Sequence, residues 1–213
     1  MDTDKKRLTE ENWIDFCKRL HTGDIIFEES NDILGKLISW GTGNNSNIDP
    51  SHVFQYIGDG AGKIIEATNN GVVFDVIEKY KNKFINLQSR LVVYRIIDLT
   101  VNDLEKMKEK WNKMVGLKYG FLSYIGWSFY VLINKFTQLG GVFKLNILRN
   151  PFSKREAPIC SQVIYMAIED IENIKRLFKT KNYFYENCIP ENLENILSYI
   201  CLRVNDSFKY TLT

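Results

Sequence analysis

Three side chains in this sequence are of the types that together can transfer an acyl group: His52, Glu66 and Cys160. A thiolate is a strong nucleophile, but a free cysteine is mostly protonated at neutral pH. A neighbouring imidazole can take the thiol proton, and a carboxylate can fix that imidazole's tautomer and direction. A helix N-terminus adds partial positive charge from its unpaired N–H groups, which favours a thiolate and can receive a developing oxyanion. Each residue stands in a context that suits its part. His52 opens the apolar run Val53-Phe54-Gln55-Tyr56-Ile57, Glu66 lies inside Ile64-Ile65-Glu66-Ala67, and Cys160 opens Ser161-Gln162-Val163-Ile164.

Taken singly, each has an ordinary structural reading. A cysteine at the start of an apolar helix is commonly a small core residue. A lone strand histidine is commonly a satisfied core or edge residue, and Glu66 could be an edge carboxylate facing water. The other cysteines, Cys17, Cys188 and Cys201, read as packing, and His21 reads as a helix-end residue before Gly23.

The surrounding elements must bring the three together. Thr9 caps a helix through about Leu20, with Trp13, Phe16 and Cys17 on its apolar side. Strands are expected at 24–28, 52–57, 63–67, 71–76 and 91–97, separated by glycine-rich turns, as an antiparallel meander. His52 and Glu66 then lie on strands joined by a tight turn, and hairpin spacing can put them on one face. A short helix is expected at 31–40, followed by a loop over 41–50 that borders a cleft. Thr100 caps a helix whose stripe of Val101, Leu104, Met107, Trp111 and Met114 reads as core, with Gly116 ending it. A mostly apolar helical stretch follows at 119–139, and 142–157 is irregular. The cysteine helix is expected over 158–168, because a proline in the first turn loses no helical hydrogen bond. A charged segment, a short helix opening at Pro190 and a last strand over 198–204 complete the chain.

The chain has 213 residues, 45% hydrophobic and 25% charged, enough for one α+β domain spanning 1–213 with a helical insertion around 100–155. A formal net charge of +2 gives no argument for a nucleic-acid partner. The four cysteines form no Cys-x-x-Cys pair and the two histidines are far apart, so neither a zinc spacing nor a disulfide framework is read. No secretory signal is read and no apolar run is long enough to span a bilayer, which makes a cytoplasmic protein the expectation.

The ordered set Gly23-Asp24-Ile25-Ile26, Ser51-His52-Val53, Tyr56-Ile57-Gly58, Ile64-Ile65-Glu66-Ala67, Gly71-Val72, Cys160-Ser161-Gln162-Val163 and Pro190-Glu191-Asn192-Leu193 resembles the circularly permuted NlpC-type papain-like group. Within it, the set is similar to the YiiX-like branch, related to lecithin:retinol acyltransferase-like proteins. The resemblance runs from about residue 20 to residue 200, with little motif in 100–155. It implies a small antiparallel sheet or barrel packed against helices, with the histidine before the cysteine as here. It also implies nucleophile Cys160, base His52 and third polar residue Glu66, acting on amide or ester bonds through a thioester, with no cofactor. The branch often has Cys-Ser-Glu where Cys160-Ser161-Gln162 stands here, which leaves the triad intact and alters a pocket contact. Bacterial relatives often carry a signal peptide, and its absence here weakens the case for a cell-wall substrate.

The expectation is a cysteine hydrolase of amide bonds (an amidase or peptidase) on a peptide or peptidoglycan-like substrate. Two alternatives stand beside it. One is a lipid acyltransferase or lipase at a membrane surface, suggested by the apolar 121–133 segment behind Lys110, Lys113 and Lys118. The other is a non-catalytic binding module on the same fold.

Overall fold

The structure is a computed structural model, and it describes residues 8–30, 50–58, 61–120 and 153–206. The expected helix at 31–40, nearly all of the loop at 41–50, the apolar stretch from 121 and the irregular segment up to 152 lie outside the described residues. So does most of the expected helical insertion.

An antiparallel sheet of six strands, in the order β4-β3-β2-β1-β5-β6, is the centre of the protein. The strands are β1 (Ile25–Ser30), β2 (His52–Gly58), β3 (Lys63–Thr68), β4 (Gly71–Val76), β5 (Ser89–Ile96) and β6 (Cys201–Asp206). Among the described residues six helices accompany them: α1 (Glu10–Lys18), α2 (Lys81–Ile85), α3 (Val101–Met114), α4 (Cys160–Ile168), α5 (Glu172–Thr180) and α6 (Pro190–Leu197). Of the two expected forms, sheet or barrel, the strand order gives an open sheet with β4 and β6 at its edges.

The first four strands form the expected meander, but β5 leaves it. It pairs with the other side of β1, setting Ile25 opposite Tyr94 and Ser30 opposite Ser89. The outer side of β4 is already engaged, since Val72 N–H donates to the Leu117 carbonyl (2.8 Å) and Gly116 N–H to the Val72 carbonyl (2.9 Å). Between β4 and β5 the chain crosses one face through a 3-10 turn (Ile77–Tyr80) and α2, neither of which the sequence pattern signalled. Ile77, Tyr80 and Phe84 anchor that crossing in the core.

Both faces of the sheet are covered, so its central strands are apolar on both sides. Ile25, Phe27, Val53, Ile65 and Ala67 pack with α3, α4 and α6. Ile26, Phe54, Ile64, Leu91 and Val93 pack with α1, the 3-10 turn and α2. This is the period-two alternation of a strand applied to two cores. Burying a side chain such as Phe16 or Phe54 stabilises the fold by roughly 1.5–3 kcal/mol.

The helix starts follow local chemistry. In α1, Thr9 Oγ1 accepts from Asn12 N–H (3.2 Å) and Asn12 Oδ1 accepts from Thr9 N–H (2.9 Å). Thr100 and Asp103 close the same reciprocal cap on α3. Met107, Trp111 and Met114 of the expected α3 stripe are buried, but Val101 is 74% exposed. Val101 is the first residue of its helix, and that part of the stripe is solvated. Glu169 to Asn182, read only as charged, contains α5, with Ile174 and Phe178 one turn apart in the core. The last strand begins at Cys201 rather than residue 198, because α6 runs on to its C-cap at Ser198.

Candidate active site

His52 is the first residue of β2, and its neighbour fixes the strand end. Ser51 N–H donates to the Glu28 carbonyl (2.9 Å), while Ser51 Oγ accepts from Ser30 N–H (3.2 Å). Gln55, fully buried, donates to the Gly23 carbonyl (3.1 Å) and accepts from Trp111 Nε1 (2.9 Å). The polar members of this strand motif thus hold β2 in place from both ends.

In the β2–β3 pairing Gln55 faces Ile65 and Tyr56 faces Ile64. Carried on by one residue, that register sets Glu66 opposite Phe54. His52 and Glu66 therefore share a face as diagonal neighbours, a separation long side chains bridge. His52 Nε2 lies 3.0 Å from Glu66 Oε2. An ionised carboxylate only accepts, so the Nε2 position carries the proton and Nδ1 is left for another partner. The Cys160 side chain is also close enough to act on the imidazole, and with Nε2 engaged by Glu66 the ring nitrogen left for it is Nδ1. The three residues singled out by the sequence are brought together.

Glu66 is 1% exposed. Its Oε2 also accepts from Tyr80 Oη (2.8 Å), and its Oε1 accepts from Lys79 Nζ. Burial alone would raise this carboxyl's pKa, but the His52 and Lys79 hydrogen bonds and charges outweigh burial and hold it down at about 2. For His52, burial works to lower the pKa. The interactions with Cys160 and Glu66 overcome it and raise the imidazole to about 10.

Cys160 is the first residue of α4 and 5% exposed. The helix begins two residues later than expected, with Ile159 as N-cap. Pro158 stands outside it, and its carbonyl accepts from Gly120 N–H (3.1 Å). The later start places the thiol in the first turn, where helix geometry leaves N–H groups without intrahelical acceptors. All of α4 is buried between the sheet, α3 and α6, which accounts for its being apolar on every side.

Gln162 is buried and bonded on every side. Its Oε1 accepts from Ile159 N–H (3.0 Å), and its Nε2 donates to the Tyr185 carbonyl (3.2 Å) and to Ser153 Oγ. It ties the start of the cysteine helix to two flanking segments. Ser161 Oγ donates to the Cys188 carbonyl (2.7 Å), and Cys188 Sγ returns a bond to the Ser161 carbonyl (3.2 Å). Cys188 is fully buried and burial pushes its thiol pKa up, so it is a packing residue, as is Cys201. His21 lies exposed in the turn after α1.

Sequence reasoning missed Lys79 and Tyr80, and also Glu28. Glu28 stands directly opposite His52 on β1, is buried, and pairs with Lys83 Nζ (3.0 Å). A carboxylate at the end of an apolar run was the available signal for Glu28. Lys79 and Tyr80 sit in a 3-10 turn with no periodicity to read. Among the described residues no group of three His, Cys, Asp or Glu side chains is placed to hold a metal ion. Among them, too, no helix is long and apolar enough to cross a membrane.

No protein-family model matches the chain, and no curated protein matches it. Among solved structures, the fold is similar to the crystal structure of the metalloprotein YiiX from Escherichia coli O157:H7. The identity is 18% and the TM-score 0.47, over 72% of this chain and 67% of that one. At that identity and score, no residue role is carried across from it.

Proposed function

We propose that this protein is a cysteine-dependent hydrolase of amide bonds on a permuted papain-like domain. The observation that carries the reading is the gathering of Cys160, His52 and Glu66, with His52 hydrogen-bonded to Glu66 and the sulfur in the first turn of a helix. In this reading His52 Nδ1 already holds the proton taken from Cys160, and the sulfur attacks the substrate carbonyl carbon. The negative charge moves onto the carbonyl oxygen, which the N–H groups at the start of α4 stabilise. The imidazolium gives its proton to the leaving amine as the C–N bond breaks, leaving a thioester on Cys160. Water, deprotonated by His52, then attacks the thioester, and the acid leaves as the thiolate and imidazolium are restored. Glu66 stays ionised throughout and holds the ring by its Nε2–H. The substrate class is a small peptide or other amino-acid-containing amide, including peptidoglycan-like fragments.

The test uses an activated ester, p-nitrophenyl acetate, which needs no specific pocket. Intact-mass and peptide mapping should find an acetyl group on Cys160 that is lost again by turnover, and Cys160→Ala should abolish both. Ester turnover that survives in Cys160→Ala would reject the assignment.

A further inference from the structure

The carboxylate behind the histidine has a shell of its own that the proposed reaction does not name. Glu66 is buried, and a buried carboxylate is favoured in its neutral form unless donors hold the charge. A neutral carboxyl could rotate its O–H toward His52 Nε2 and reverse the direction of that hydrogen bond. The proton on the ring would then move to Nδ1, the side that must accept from Cys160.

Two consecutive residues of one 3-10 turn stand against this. Tyr80 Oη reaches Glu66 Oε2 (2.8 Å), the same oxygen that receives His52, and Lys79 Nζ reaches Oε1. The turn is itself pinned, because Ile77 N–H donates to the Gly62 carbonyl (2.8 Å). The Tyr80 ring stacks on Phe54 at 4.4 Å between centroids, and Phe54 in turn lies beside the His52 ring. Lys79 is steadied by a second carboxylate, Asp75 Oδ2 (2.9 Å). Burial and the nearby carboxylates raise the Tyr80 phenol's pKa, and Glu66 and Asp75 raise that of the Lys79 ammonium against the opposing effect of burial. Both donors therefore keep their protons wherever the site could work.

The other titratable groups around the pair are Glu28 from β1, held by Lys83 from α2, and Cys160 from α4. With Glu28 engaged by its own lysine, the described donors aimed at Glu66 are His52, Tyr80 and Lys79.

We infer that Tyr80 and Lys79 are positioning residues that keep Glu66 an ionised acceptor, and so keep the His52 proton on Nε2 and Nδ1 turned to Cys160. This rests on Cys160 and His52 being the reacting pair, so the test has one readout that needs no reactivity. Nitrogen-15 NMR of the imidazoles reports the tautomer directly, and with only His21 and His52 present, His21→Asn assigns the signals. In the parent protein His52 Nε2 should keep a protonated-type shift across the titration. In Tyr80→Phe and in Lys79→Met it should drift toward tautomer averaging as pH rises, while Lys79→Arg keeps the parent pattern. Unchanged His52 shifts in both Tyr80→Phe and Lys79→Met, with the fold intact by circular dichroism, would overturn the inference.

The second readout is the rate of Cys160 alkylation by iodoacetamide, followed by peptide mapping. It should fall about tenfold in Lys79→Met and Tyr80→Phe, the size of losing one hydrogen bond to a charged group. It should recover in Lys79→Arg. Parent-like rates in the first two variants would again count against Tyr80 and Lys79. An inert Cys160 in the parent protein would reject the hydrolase reading alone, leaving the NMR comparison to judge this one.

Discussion

Glu66 and His52 meet diagonally across the β2–β3 hairpin, with Oε2 and Nε2 3.0 Å apart, the carboxylate buried and the imidazole partly exposed. The pairing register creates the contact, and burial makes it strong. Every expectation about the site's chemistry follows from that buried, fully donated carboxylate.

Acid stability should report on it. Glu66 has a folded pKa lowered from 4.5 to about 2. Its stabilising contribution is therefore complete above about pH 4.5 and is lost as pH falls through about 2. At 1.36 kcal/mol per unit the contribution is on the order of 3 kcal/mol. Urea midpoints measured against pH should fall across that window in the parent protein, and Glu66→Gln should lower the plateau and flatten the slope. A parallel slope in Glu66→Gln would mean that another group carries the acid transition.

At the alkaline end the sign reverses. The His52 pKa is raised from 6.5 to about 10. Its contribution is present below about pH 6.5 and is lost as pH rises through about 10. His52→Gln should remove that loss, so the two proteins' urea midpoints should converge toward high pH. A constant gap between them would contradict the coupling of His52 to its two neighbours.

Gln162 should be intolerant of an acid in its place. Its Nε2 donates to the Tyr185 carbonyl, and a glutamate would set an acceptor against that acceptor in a buried site. Gln162→Glu should destabilise by about 2 kcal/mol at neutral pH, within the range for an unmet buried polar group. Recovery as pH falls, seen by thermal melting, would support the cause; a neutral substitution would exclude it.

Gly120 should resist any side chain. A Cβ there would come 2.2 Å from the Ala157 carbonyl oxygen, just before the cysteine helix. Gly120→Ala must push the 157–158 backbone aside, at a cost of about 1–3 kcal/mol. Slower Cys160 alkylation with the fold retained would show that the displacement reaches α4. An unshifted melting temperature would argue that the two segments are not held this close.

Much of this arrangement was legible in the residues. Thr9 and Thr100 announced their helices, and alternation placed β1 to β4 within a residue or two. His52, Glu66 and Cys160 stood out because a proton-handling side chain inside an apolar run has to be explained. The return of β5 beside β1 was not legible, because edge choice depends on which edge the 116–117 backbone already occupies. Tyr80 and Lys79 were hidden for a related reason: a single 3-10 turn has no period, and only the tertiary crossing aims them at Glu66. Val101 shows the opposite error, a residue on the helical stripe but exposed to solvent.

The most direct measurement is the order in which the four free cysteines react with iodoacetamide at about pH 6, where unactivated thiols are slow. Exposure alone ranks Cys17 first, since Cys160, Cys188 and Cys201 are all buried. The account predicts that Cys160 is alkylated first and that His52→Ala removes its lead. Cys17 reacting ahead of Cys160, or a Cys160 rate indifferent to His52, would contradict it.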